Sequence, residues 1–227
     1  DAERTNSLAE KLLRQTPHAR LRLDANRAWT LDQANCFLQS LSDSAVAMTE
    51  YLEEPLQLPE PSSELLQHWE ELAARSRRRV AFAVDESLTE GIVSLEDLSQ
   101  CKALAAVVLK PSLQGLEQTV SIAAWAVEHG ARPVLSSAFE SGVALCHFAL
   151  LSATLAPGAV AQGIGTFTRL SEDVLQPPFA DLVISGPGGW QVTVVSCQEA
   201  LDHTVKALVA ARGSDARANN GWCGGAV

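Results

Sequence analysis

The sequence predicts an α/β fold, a (β/α)₈ barrel that is incomplete, with about six of the eight strands present in its 227 residues. Short apolar segments alternate with segments of roughly ten to fifteen residues that have helical character, which is typical of βαβ units around a parallel sheet. The alternation repeats about every 30 residues, the spacing of a ~250-residue barrel built from eight units. Ala105–Leu109 is apolar throughout, as expected of a strand that is covered on both faces.

Residues 1–18 are predicted to form a helix, and residues 19–170 should contain the barrel strands with their helices. Residues 171–212 should form a C-terminal strand and helix, and the Gly-, Ala- and Asn-rich residues 213–227 a disordered tail. The predicted barrel strands are Ala19–Asp24, Val46–Leu52, Val80–Val84, Ala105–Leu109, Arg132–Ser136 and Val160–Ile164.

Helix-start and helix-stop residues support the predicted helices between these strands. Thr30 and Ser62–Ser63 are residue types that cap helix N-termini, and Gly130 stands where a helix ends. The predicted helices are Leu31–Leu41, Ser63–Arg77, Leu95–Gln100, Leu116–His129 and Gly142–Leu155.

Composition excludes several classes of function. The net charge of −10 argues against nucleic acid as a partner, and the arginines of Arg75–Arg79 are interpreted as the solvated end of a helix. Ser141–Thr168 carries no formal charge, but Pro157 and several glycines interrupt it, so it indicates a buried helix and strand and no membrane segment. The five cysteines lack metal-ligand spacing, and the charged N-terminal segment is unlike a secretory signal.

Ionisable residues recur where the predicted strands end. Asp24 ends the first of four successive predicted strands, and Glu53, Asp85 and Lys110 directly follow the next three. In a barrel these ends converge on one mouth, so the three acids should meet in space. Clustered carboxylates stay ionised only beside a cation, and ligands that are all oxygen select Mg²⁺, with Mn²⁺ as the alternative. Lys110 should act there as a base or a fixed positive charge, with a pKa lowered by the cation.

The ordered motifs LRLDANRAW, YLEEPLQ, VDES, VVLKPS, SSAFESG and GIGTF resemble the barrel domain of the enolase superfamily. Within it they are most similar to the o-succinylbenzoate synthases of menaquinone and phylloquinone biosynthesis, including the plant and algal multifunctional type. The resemblance runs from about Ala19 to about Val174 and implies that the strands here are the third to eighth of the barrel.

The resemblance also implies roles for individual residues. Asp24, Glu53 and Asp85 would be the magnesium ligands, Lys110 the active-site lysine, and the acids after Glu53 and Asp85 supporting groups. The residues implied to lie near the metal or the substrate are Arg22, Asn26, Ser137, Glu140, Ser141, Gly163, Gly165 and Thr166.

The implied reaction is the magnesium-dependent loss of water from 2-succinyl-6-hydroxy-2,4-cyclohexadiene-1-carboxylate, a small carboxylate, to give o-succinylbenzoate. In the family, the general base is the second lysine of a Lys-x-Lys motif on the second barrel strand. The lysine upstream of the DAN motif here is Lys11, in a polar helix, and the first two strands and the capping domain have no counterpart. We therefore expect a missing N-terminal partner or fused upstream region, and little activity from this chain alone.

Two alternatives remain open from the sequence. One is a dipeptide epimerase or N-acylamino-acid racemase of the same superfamily, although SSAFESG offers only Glu140 where such enzymes often carry acidic residues. The other is a degenerate, non-catalytic barrel module docked to a partner. The expected location is the bacterial cytoplasm, or a plastid if the plant-type resemblance holds.

Overall fold

The computed structural model describes residues 1–76, 80–155, 160–186 and 189–219, with the backbone alone described for residues 189–190 and 211–219. The chain divides into two compact units. The first comprises Asp1–Ser136 and Leu155–Gln162, and the second comprises Ser137–Thr154 and Gly163–Val227.

A parallel sheet of five strands, in the order β1-β2-β3-β4-β5, forms the centre of the first unit. Each strand lies beside the strand that precedes it in sequence, because a helical segment returns the chain to the same end of the sheet each time. This half-barrel arrangement confirms the predicted incomplete barrel. The strands are β1 (Leu21–Asp24), β2 (Thr49–Glu53), β3 (Phe82–Val84), β4 (Leu104–Leu109) and β5 (Arg132–Leu135).

Local capping explains where several helices of this unit begin. Thr30 and Gln33 form a reciprocal capping box at the start of α2, and Ser94 and Asp97 do the same for α6. The helices of the first unit are α1 (Ala2–Gln15), α2 (Leu31–Ser40), α3 (Asp43–Met48), α4 (Leu65–Arg75), α5 (Glu86–Thr89), α6 (Leu95–Ser99), α7 (Pro111–Gln114) and α8 (Leu116–Glu128).

Alternation along the strands separates two buried clusters. Phe82 and Leu109 belong to the large cluster that includes the helical Trp69. Ala83 and Val108, each one residue away along its strand, belong to a smaller cluster with Tyr51. Since neighbouring residues of a strand point to opposite faces, the large cluster lies between sheet and helices and the small one on the other face of the sheet.

The second unit contains α9 (Gly142–Leu155, which ends in the first unit), α10 (Phe179–Leu182), an antiparallel hairpin and α11 (Val194–Asn219). The hairpin strands are β6 (Ile184–Gly186) and β7 (Gly189–Gln191). Asp173 connects the parts of this unit, because its carboxylate accepts N–H groups from Gly142 at 2.8 Å, Leu175 at 3.2 Å and Phe179 at 3.0 Å.

Three predicted elements differ from the structure. Val46–Leu52 was expected to be a strand throughout, but residues 46–48 end α3, whose N-cap Ser42 accepts the Ala45 N–H. Val160–Ile164 forms no strand and contributes a single bridge at Gly163, so the described sheet has five strands and not six. The backbone of α11 ends at Asn219, so the helix extends into the segment predicted as a tail.

Parts of some predictions lie outside the described residues, namely Arg77 and the rest of the arginine run, Pro157 and its neighbours, and residues 220–227. Arg75, which is described, pairs with Asp32 at 3.0 Å and Glu71 at 2.5 Å. In the described part of the chain, no helix combines the length and the apolar character needed to cross a bilayer.

Candidate active site

Strand alternation explains why the predicted site residues of the first unit lie on the same face of the sheet. Glu53 lies two residues after Tyr51, Asp85 two after Ala83, and Lys110 two after Val108. Because the small buried cluster contains all three of those earlier residues, the period of two directs the ionisable side chains to its face of the sheet. Asp24 is the register partner of Glu53 in the β1–β2 pair.

A tight turn follows Asp24, and backbone hydrogen bonds connect it to the end of β2. The Asp24 Oδ1 atom accepts the Asn26 N–H at 2.8 Å, and Asn26 and Arg27 both have left-handed backbones, with φ of 46° and 54°. The N–H of Ala25 donates to the Glu53 carbonyl at 3.0 Å, and that of Arg27 to the Glu54 carbonyl at 2.9 Å. Asp24 and Asn26 are therefore held beside the acids of β2.

The carboxyl groups of Glu53 and Asp85 are both largely buried and repel each other. Burial, together with repulsion from Asp24 and Asp85, raises the pKa of Glu53 to about 9. Burial also raises the pKa of Asp85, against the attraction of Lys110. The pair therefore carries more negative charge than its surroundings balance without a proton or a cation.

Lys110 lies against Asp85 and Glu86. Its Nζ atom donates a very short hydrogen bond to Asp85 Oδ2 and lies 3.4 Å from Glu86 Oε1, and its side chain is 16% exposed. Burial lowers the pKa of Lys110, but Asp85 and Glu86 outweigh burial and raise it. The sequence-based expectation of a lowered pKa presupposed a bound cation, and the carboxylates alone act in the opposite direction.

The residues fit a hard divalent cation. Within the described ranges, no group of three or more His, Cys, Asp or Glu side chains is already arranged as a metal site. However, the Asp85 Oδ1 atom is buried and no protein donor reaches it, and the donor set of Asp24, Glu53 and Asp85 is entirely carboxylate oxygen. Carboxylate oxygens are the ligands that Mg²⁺ prefers, and a cation would offset the repulsion that raises the pKa of Glu53.

Glu54 and Arg27 contribute more to this region than the sequence indicated. Motif comparison assigned Glu54 only a supporting role and Arg27 none. The Glu54 carboxylate is fully buried and accepts three hydrogen bonds from Asp85 and Ser87. Arg27 lies 3.9 Å from Glu54 and 2.8 Å from Glu90. Two sequence signals were available for these residues. Arg27 directly follows the DAN motif, and Glu53 and Glu54 are successive acids at the end of β2.

Arg22 is engaged in a separate ion-pair network. Its Nε atom donates to Glu50 at 2.6 Å, and its guanidinium lies 5.1 Å from the centre of the Tyr51 ring. Arg132 pairs with the same glutamate. Burial raises the pKa of Glu50, but the hydrogen bond and charge of Arg22, with Arg132, outweigh burial and lower it. These contacts give Arg22 a role in fixing β1 to β2.

The remaining predicted site residues belong to the second unit. Ser137 Oγ donates to the Gly163 carbonyl at 3.0 Å and lies 2.8 Å from Thr166 Oγ1. Glu140 Oε2 accepts the Ala138 N–H at 2.5 Å, and Gly165 begins a short 3₁₀ helix, Gly165–Arg169. The Ser141 carbonyl accepts the Leu145 N–H in the first turn of α9. The structure thus brings Ser137, Gly163 and Thr166 together within this unit.

Comparison with known proteins agrees with this arrangement of the sheet. Residues 1–182 match the family model described as "Enolase C-terminal domain-like". A relative from Pasteurella multocida named o-succinylbenzoate synthase is 32% identical over 182 residues, covering 78% of this chain and 50% of the relative. The chloroplastic protein PHYLLO of Arabidopsis thaliana is 32% identical over 180 residues, covering 68% of this chain and 9% of PHYLLO.

Among solved structures, MenC from Desulfotalea psychrophila is similar, with a TM-score of 0.55 and 25% identity, covering 72% of this chain and 44% of MenC. The chain therefore spans about half the length of the bacterial synthase that it matches. Since the family model covers residues 1–182 of 227, and the parallel half-barrel agrees with it, the chain belongs to the enolase superfamily, as a member of its C-terminal domain-like family.

Proposed function

We propose that this chain provides the metal-binding half of an o-succinylbenzoate synthase-type lyase, which removes water from 2-succinyl-6-hydroxy-2,4-cyclohexadiene-1-carboxylate. The observation that carries the proposal is the Lys110–Asp85 ion pair, with the Glu53 carboxyl repelled by that of Asp85, at the ends of three successive strands. The 32% identity to a protein named o-succinylbenzoate synthase supports the choice of reaction within the superfamily.

Each residue of the carboxylate cluster has a distinct part in this proposal. Asp24, Glu53 and Asp85 would hold Mg²⁺, with Mn²⁺ as the alternative. When bound, the ion would supply Lewis-acid stabilisation of negative charge that develops beside the substrate carboxylate. Lys110, kept protonated by Asp85 and Glu86, would place a fixed positive charge at the edge of the cluster and stabilise the same charge.

Proton abstraction requires a separate base in this scheme. The ammonium of Lys110 is bound to two carboxyls and its pKa is raised, which suits an electrostatic role and disfavours proton abstraction. The resemblance assigns the base to a Lys-x-Lys motif, and these 227 residues contain none. We therefore assign the base to an upstream barrel segment or partner, as we do the capping domain.

The other predicted residues would contact the substrate. Asn26 would contact the substrate next to Asp24. Arg22 would contact it from β1, two residues before Asp24. For the succinyl portion we propose Ser137, Glu140, Ser141, Gly163, Gly165 and Thr166. The location would be the bacterial cytoplasm or a plastid, according to which type of relative the whole protein follows.

Titration calorimetry with Mg²⁺ on the 227-residue chain tests the metal site. Asp24→Asn, Glu53→Gln and Asp85→Asn should each weaken binding by at least about tenfold, because each removes an anionic ligand. Glu117→Gln, an exposed carboxylate on α8, is the matched control and should bind as the wild type does. Unchanged binding in the three variants, or no binding by the wild type, would overturn the proposal and favour a non-catalytic module.

A further inference from the structure

We infer that Glu54 is a positioning residue, whose buried carboxylate holds the Asp85–Ser87 segment so that Asp85 is directed towards Glu53. This inference rests on the proposed metal site and adds to it the residue that sets the spacing of its ligands. Glu54 would act through Asp85 and would not itself touch metal or substrate.

The hydrogen bonds of the Glu54 carboxylate all come from one short segment. Oε1 accepts the backbone N–H of Asp85 at 2.9 Å and that of Ser87 at 2.8 Å, and Oε2 accepts the Ser87 hydroxyl at 2.7 Å. Glu54 is 0% exposed, so water does not compete for these bonds. Three bonds to a buried carboxylate fix both the position and the direction of the chain at Asp85.

Glu54 also connects to the turn that follows Asp24. Its carbonyl accepts the Arg27 N–H at 2.9 Å, and its Oε2 atom lies 3.9 Å from Arg27 Nε. Glu53 is its covalent neighbour. One residue thus contacts the segments that carry Asp24 and Asp85 and is bonded to the third proposed ligand.

The backbone of Glu54 explains how two successive acids serve different purposes. Its φ of 39° lies in the left-handed region, which is unfavourable for a residue with a side chain. Such a conformation persists where the surrounding structure holds it, as the bonds to Asp85, Ser87 and Arg27 do here. The turn lets Glu53 face Asp24 and Asp85 while Glu54 faces the Asp85–Ser87 segment.

The same contacts argue against Glu54 as a metal ligand. Its two oxygens already accept three hydrogen bonds and lie beside a guanidinium, so coordination would require breaking bonds in a dry environment. Groups that orient metal ligands in this way typically change metal affinity by about 10–100-fold when they are altered.

The test compares Glu54→Gln with wild type in Mg²⁺ calorimetry and in hydrogen exchange of the Asp85 and Ser87 amides. Glu54→Gln should weaken Mg²⁺ binding by about tenfold or more and speed exchange at those two amides. Glu70→Gln is the matched control, because Glu70 accepts the Ala103 N–H at 2.9 Å and should affect stability without changing Mg²⁺ affinity. Ser87→Ala removes the hydroxyl donor to Glu54 and should weaken Mg²⁺ binding several-fold. This variant tests the inference if Glu54→Gln does not fold.

A double-mutant cycle distinguishes positioning from a general loss of stability. In an Asp85→Asn background, Glu54→Gln should have little further effect on Mg²⁺ affinity, because its route of action is already removed. If the wild type binds Mg²⁺ and both Glu54→Gln and Ser87→Ala bind it with an affinity within twofold of the wild type, this inference is overturned and the proposed function still stands. Failure of the wild type to bind Mg²⁺ would overturn both.

Discussion

Replacing Lys110 with methionine should destabilise the chain in the absence of Mg²⁺ while strengthening Mg²⁺ binding. The lysine side chain is 16% exposed and that of Asp85 is 3% exposed, so their ion pair is largely buried. Breaking a buried pair costs about 3–5 kcal/mol, and the partial opening of Lys110 to water places this case near ~3 kcal/mol. Methionine keeps much of the apolar stem, so the cost reports the charge and not the packing.

Urea unfolding at neutral pH without Mg²⁺ measures this cost through a lower midpoint at an unchanged slope. Lys102→Met is the control, because Lys102 is exposed and its replacement should change stability by less than about 0.5 kcal/mol. If Lys110→Met were as stable as Lys102→Met, the pair with Asp85 would contribute nothing and our interpretation of the cluster would be wrong.

Lys110→Met should have the opposite effect on Mg²⁺ binding, which it should strengthen. A unit charge and a divalent cation roughly 5 Å apart repel by about 1.7 kcal/mol even at the dielectric constant of water. Lys110 also donates a hydrogen bond to Asp85 Oδ2, an oxygen of one of the proposed ligand residues. Lys110→Met should therefore bind Mg²⁺ about tenfold more tightly in calorimetry at low ionic strength, and weaker binding would contradict a cation site at this carboxylate.

Two further predictions concern acid stability and the source of the base. Burial raises the pKa of Asp173, but N–H donors from Phe179, Leu175 and Gly142 lower it overall, so its stabilisation is present above the unfolded pKa of about 3.9 and lost as pH falls through the lower folded value. Asp173→Asn should therefore cost ~1–2 kcal/mol in urea unfolding at pH 7 and progressively less as pH falls below about 3.9, and a cost independent of pH would contradict this account. Supplying an upstream barrel segment that carries Lys-x-Lys should raise dehydration, followed by the absorbance of the aromatic product, by ~10²–10⁴, whereas racemisation of N-acylamino acids should stay low. Rapid dehydration by the 227-residue chain alone would contradict the assignment of the base.

The sheet could be predicted because its signals are local. Apolar runs ending in polar residues identified the regions of the five strands, and the caps Thr30 and Gly130 marked helix ends. Val46–Met48 was assigned to a strand because its composition allows either state, whereas the Ser42 cap makes it helical. Val160–Ile164 could not be settled locally, since strand formation there depends on a distant partner, and only Gly163 makes a bridge.

The proximity of the candidate site residues could be predicted in part for a related reason. Asp24, Glu53, Asp85 and Lys110 follow consecutive strands, so parallel pairing alone predicts their proximity. The role of Glu54 depends on a left-handed backbone and on two amides of a distant segment, which no sequence pattern specifies. The direction of the Lys110 pKa likewise depends on distances between side chains.

The position of β1 has a consequence for how the cluster could come apart. In the part of the chain that the structure describes, β1 lies at the edge of its sheet and pairs with β2 alone. Edge segments open locally at a lower free energy than central strands, which open only with the domain. In these 227 residues taken alone, fraying of this edge would withdraw Asp24 while Glu53, Asp85 and Lys110 stayed together at the ends of β2 to β4, whereas an upstream strand paired with β1 would hold Asp24 in place.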